Sequence, residues 1–86
     1  MDRETIENRI VEFIKREFKV EEDDDNFVTH CNLFEEGYVD SLGITKLISF
    51  LEETFGVEIK DDYFLDDRFF SIKGQADMIS ELMTGE

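Results

Sequence analysis

The sequence predicts an all-α bundle of four helices, with a long loop between the first and second and a short third helix. Apolar residues recur at steps of three and four in separate windows along the chain. Helix-start and helix-stop residues flank those windows. The one segment with strand character, Val57-Glu58-Ile59, has no second strand to pair with. A chain of 86 residues holds one modest core, so residues 1–86 are read as a single domain.

The first helix is marked by Ile6, Ile10, Phe13, Ile14 and Phe18, which form one apolar stripe. Asp2 is its expected N-cap, and Glu4 and Glu7 suit the positive end of the helix dipole. The acidic run Glu21 to Asp25 then breaks the period and reads as a solvated loop. Residues 26 to 39 read as a long ordered connection, because Phe27, Val28, Leu33, Phe34, Tyr38 and Val39 need cover from water. Connections of that length in compact domains are usually functional. Gly37 supplies the turn that ends it.

The second helix is expected from Asp40-Ser41 to about Phe55, burying Ile44, Leu47, Ile48, Leu51 and Phe55, with Gly56 as its stop. Asp61 is the expected cap of the brief third helix, which contains Tyr63, Phe64 and Leu65. Ser71 is the expected cap of the last, in which Ile72, Ala76, Ile79 and Met83 share a face.

Composition narrows the function. A net charge of -14, from 23 acidic and 9 basic residues, argues against nucleic acid and against an anionic membrane surface. It favours basic protein partners, with the field speeding encounter. The single cysteine, Cys31, permits no internal disulfide, which fits a reducing compartment. No apolar run is long enough to span a bilayer, and the acidic, amphipathic start does not resemble a signal peptide. A cytoplasmic monomer is the expectation.

Catalysis finds little support. A serine nucleophile needs a base and an oxyanion hole, and His30 is the only histidine. His30 beside Cys31 offers too few ligands for structural zinc, and both read as ordinary loop residues. The acidic run fails as a calcium loop: starting at Glu22, Phe27 stands at the glycine position and Leu33 at the closing glutamate.

The segment from Leu33 to Leu42, LFEEGYVDSL, carries the stronger signal. It presents the Ser41 hydroxyl at a helix N-terminus beside Asp40, and a helix N-terminus favours a phosphate group. As a dipeptide alone, Asp40-Ser41 would read simply as a helix cap. In its frame it resembles the acyl and peptidyl carrier proteins. The long loop ends in L-F-x-x-G, Asp40-Ser41-Leu42 matches the D-S-L attachment motif, and the helix closes in L-E-E-x-F-G-V. The resemblance runs from Leu33 to about Ile79, and the order of helices extends it over nearly the whole chain.

The resemblance implies that Ser41 receives 4′-phosphopantetheine from coenzyme A through a phosphopantetheinyl transferase, which brings its own Mg²⁺. It further implies that the arm's thiol carries an acyl or aminoacyl group as a thioester, so the chain is a substrate of enzymes and not itself one. Leu42, Thr45 and Ser49 form the expected docking stripe, with Lys46 and Glu52 beside it and Tyr38 on the other side. Phe69-Phe70-Ser71-Ile72 and Gly43 resemble the stand-alone carriers of aminoacyl, D-alanyl or specialised acyl pathways. The fatty-acid type usually has acids where Gly43 and Lys46 stand, so an adenylating ligase or an acyltransferase of another pathway is the expected loading partner. Lys60 also stands where a proline is common. The competing reading is a non-catalytic acidic adaptor of the same fold that is never modified.

Overall fold

The computed structural model describes residues 2–84, and these contain three α-helices, two 3₁₀ turns and no strand. The helices are α1 (Arg3–Glu17), α2 (Gly43–Phe55) and α3 (Ile72–Thr84). The expected third helix is instead a pair of 3₁₀ turns, Asp61–Leu65 and Asp67–Phe70. Segments of four or five residues form too few backbone bonds to sustain an α-helix, and the tighter turn suffices there.

Local chemistry sets each helix end. The Thr5 amide donates to Asp2 Oδ1 at 2.8 Å, which is the expected N-cap and holds the Asp2 carboxyl below its usual range. α1 closes with Lys19 at φ +54, and the Val20 amide donates back to the Lys15 carbonyl at 3.2 Å. Gly56, at φ +65, closes α2 by donating to the Glu52 carbonyl. The Gly74 amide donates to Ser71 Oγ at 3.0 Å, so Ser71 caps α3 as expected. Asp61 does not cap its turn: it lies inside it, behind Lys60, and Asp66 caps the second turn through the Arg68 amide.

The core joins the three helices and the long loop. Ile6, Ile10, Phe13 and Ile14 of α1 meet Leu47, Leu51 and Phe55 of α2 and Ile72, Ala76 and Ile79 of α3, over Leu33 and Val39. Burial on α2 follows the row Gly43, Leu47, Leu51, Phe55, so Ile44 and Ile48 are only half-buried beside it. Met83 is 40% exposed, contrary to expectation. Gln75 and Met78 are also buried, which turns the centre of the α3 stripe toward Leu82 and leaves Met83 at its edge. Gln75 Nε2 donates to the Phe69 carbonyl at 2.7 Å and ties α3 to the second 3₁₀ turn.

Candidate functional site

The loop before α2 is tightly bonded. Asn32 Oδ1 accepts from the amides of Phe34 and Glu35, and the buried Leu33 carbonyl accepts from both Tyr38 and Val39. Gly37, at φ +82, provides the left-handed turn between them. The Leu33 amide donates to the Phe70 carbonyl at 2.8 Å, and the Lys73 amide to the Thr29 carbonyl at 2.8 Å, so the loop is stitched to the second 3₁₀ turn and to the start of α3. The chain therefore enters α2 from a braced turn.

The acidic run is solvated as expected except at one residue: Glu21, Glu22, Asp23 and Asp25 are exposed, and Asp24 is half-buried. Tyr38 Oη donates to Asp24 Oδ2 at 2.9 Å, and the Tyr38 ring lies edge-on to Phe27. Partial burial, followed by this bond and the Asp24 charge, pushes the Tyr38 phenol up to about 12.

Asp40, Ser41 and Leu42 follow. Asp40 Oδ1 accepts from the Gly43 amide at 2.7 Å while its carbonyl accepts from Ile44 at 3.0 Å. By capping geometry Asp40 is thus the N-cap of α2, and Ser41 and Leu42 belong to its first turn, although the regular helix begins at Gly43. Ser41 is exposed, and Leu42 is 84% exposed. Among the described residues the amides of Ser41 and Leu42 find no acceptor, so two N–H groups at the positive end of the helix stay free beside the Ser41 hydroxyl.

Of the expected docking residues, Thr45, Lys46 and Ser49 are exposed below Ser41. Lys46 Nζ pairs with Glu17 of α1 at 3.3 Å. Glu52 is turned away: half-buried, its Oε2 accepts from the Ile59 amide at 3.0 Å and secures the link after α2. Tyr38 is half-buried and turned to Asp24 and Phe27. Gly43 is buried under the Phe18 ring, so its missing side chain is not a missing surface contact. His30 is exposed, Cys31 is a half-buried free thiol, and the described residues hold no metal-ligating cluster of three or more.

Two features escaped the sequence reading. Leu65 is 87% exposed, though it reads as part of an apolar trio. Phe50 stacks on Phe13 with ring centroids 4.1 Å apart, forming part of a groove between α1 and α2. An aromatic off the predicted α2 stripe was the available signal.

A family profile described as "Phosphopantetheine attachment site" matches residues 8–74. The chain belongs to the phosphopantetheine-attachment family. Proteins of this family bear 4′-phosphopantetheine as a prosthetic group and are typically carriers and not catalysts, working with phosphopantetheinyl transferases and acyl-handling enzymes. No curated protein matches the chain. No helix among the described residues is long and apolar enough to cross a membrane.

Proposed function

We propose that this single carrier domain holds an acyl or aminoacyl group on a 4′-phosphopantetheine arm attached to Ser41 and delivers it to partner enzymes. The observation that carries the reading is the exposed Ser41 hydroxyl in the first turn of α2, beside two unbonded amides. In this reading the paired 3₁₀ turns take the place of the third helix of a four-helix carrier bundle. The chain works as a monomer in the cytoplasm, where its transferase and ligase partners act.

The residues present fit a phosphodiester. Asp40 spends its carboxylate on the Gly43 amide, which holds the first turn rigid and partly neutralises the charge nearest Ser41. The free amides of Ser41 and Leu42 favour an anion there. No base of this chain hydrogen-bonds Ser41 among the described residues, so proton removal from its hydroxyl falls to the transferase. When attached, the arm supplies a thiol that carries the cargo as a thioester. Leu42 offers partners an apolar anchor, and Thr45, Lys46 and Ser49 continue that face down α2. Lys46 on this face would meet like charge in a basic partner, which favours a ligase-loaded aminoacyl or specialised acyl cargo over a growing fatty acid. Incubation with coenzyme A and a broad-specificity transferase tests the assignment: one arm should appear, on the peptide containing Ser41.

A further inference from the structure

Two arginines of α1 stand apart on this acidic molecule. Arg3 pairs with Asp77, and Arg68 with Asp66 and Glu81. Arg9 and Arg16 are exposed, and among the described residues neither has a carboxylate within ion-pair distance. Both line a depression of ≈ 180 Å³ together with Phe13, the half-buried Phe50, Glu12 and Thr54. Two cations thus face one carboxylate around an aromatic pair, on a chain whose net charge is -14. We propose that this face of α1 is a second interaction surface, which takes an acidic amphipathic helix of a partner protein.

Spacing argues for a helix. Arg9 and Arg16 stand two turns apart on one side of α1, about 10 Å along its axis, with Phe13 between them. A facing helix that carries acids at the same interval closes both ion pairs, while an apolar residue between those acids covers Phe50. Each guanidinium offers a planar fork that a carboxylate can meet with both oxygens. A second copy of this chain does not fit. Neither α1, α2 nor α3 carries two acidic residues at that interval, and two such molecules repel each other. Nucleic acid and anionic lipid meet the same repulsion.

Placement separates this face from the attachment end. Thr45, Lys46 and Ser49 do not line it, and Phe50 and Thr54 follow Ser41 by roughly 14 and 20 Å along the helix axis. A partner held here leaves Ser41 and Leu42 open. One protein can then retain the chain at high effective concentration while others reach its Ser41 end.

Nuclear magnetic resonance titration of the isotope-labelled protein with a synthetic helical peptide tests this. The peptide presents Glu at the interval of Arg9 and Arg16 with Leu between, and its twin has Lys in place of each Glu. The acidic peptide should shift the amides of Arg9, Phe13, Arg16, Phe50 and Thr54 saturably, and bind less tightly as NaCl rises. The basic twin should leave those amides unmoved. Arg9→Gln/Arg16→Gln should weaken the acidic peptide by about tenfold or more, while the melting temperature and phosphopantetheinyl loading stay at the parent's values. Shifts centred on another face, equal response of this face to both peptides, or undiminished affinity in the glutamine variant would overturn the proposal. Phosphatidylglycerol vesicles that shift these amides where the acidic peptide does not would also overturn it and reassign the face to a membrane. None of these results depends on whether Ser41 bears the arm.

Discussion

The ring of Phe18 occupies the space that a side chain on Gly43 would need: a Cβ there would stand 2.4 Å from Phe18 Cε1. Gly43→Ala should therefore destabilise the fold although alanine is the better helix former. Overpacking of about 1–3 kcal/mol outweighs the roughly 1 kcal/mol that alanine gains in a helix. A loss of about 1 kcal/mol lowers the melting temperature by roughly 4–8 °C in a domain of this size. Phe18→Leu should recover part of it in the double variant. Gly74→Ala should cost more, because its Cβ would stand 2.1 Å from the Arg68 carbonyl oxygen, and backbone yields less readily than a ring edge. Calorimetry of the variants checks the order.

Alkaline pH should release the long loop. The fold holds the Tyr38 phenol protonated, donating to Asp24, and its pKa is raised to about 12. A raised pKa contributes stability that is fully present below the ordinary value near 10 and is lost as pH climbs through the folded value. Tyr38→Phe should be less stable than the parent at neutral pH, and the gap should close between pH 10 and about 12. A gap that stays constant across that range would show that the hydroxyl does not set the loop.

Screening should stabilise the protein. With a net charge of -14 on 86 residues, self-repulsion opposes the compact state. Raising NaCl from about 0.1 to 1 M shortens the Debye length from roughly 10 to 3 Å, and millimolar-range Mg²⁺ should act in the same direction. The melting temperature should rise in both. A fall would mean that local pairs, such as Arg68 with Asp66 and Glu81, compensate the acids already.

Much of this was legible in the sequence because it is local. The Asp2 and Ser71 caps, the α1 stripe and the Gly56 stop each depend on residues within one or two turns. What was not legible depends on contacts between distant segments. Gly43 reads as a lost surface contact until Phe18, from the end of α1, is found against it. Asp24 reads as solvated until Tyr38 arrives from fourteen residues away. Glu52 reads as part of an exposed face, and only the path of the chain after Gly56 brings the Ile59 amide to it. The short third helix fails for another reason, since pattern alone does not separate a 3₁₀ turn from one turn of α-helix.

Cargo preference should respond to Lys46. Its pair with Glu17 is exposed, so Lys46→Glu should change stability by no more than about 1 kcal/mol. The loaded Lys46→Glu variant should be accepted several-fold better than the parent by a fatty-acid malonyl transferase, mainly through association rate, at roughly the scale that rim charges allow. Gly43 is left untouched in this comparison because an acid there would disturb Phe18. A parent malonylated as efficiently as a fatty-acid carrier, with no gain in the variant, would contradict the pathway reading.

Intact mass spectrometry after reaction with coenzyme A, Mg²⁺ and a broad-specificity transferase decides whether the arm is attached to Ser41. The parent should gain the mass of one phosphopantetheine, while Ser41→Ala, with Ser49, Ser71 and Ser80 all retained, should gain none. An alanine variant that is still loaded would contradict the assignment of Ser41, and a folded parent that is never loaded would leave an acidic adaptor in place of a carrier.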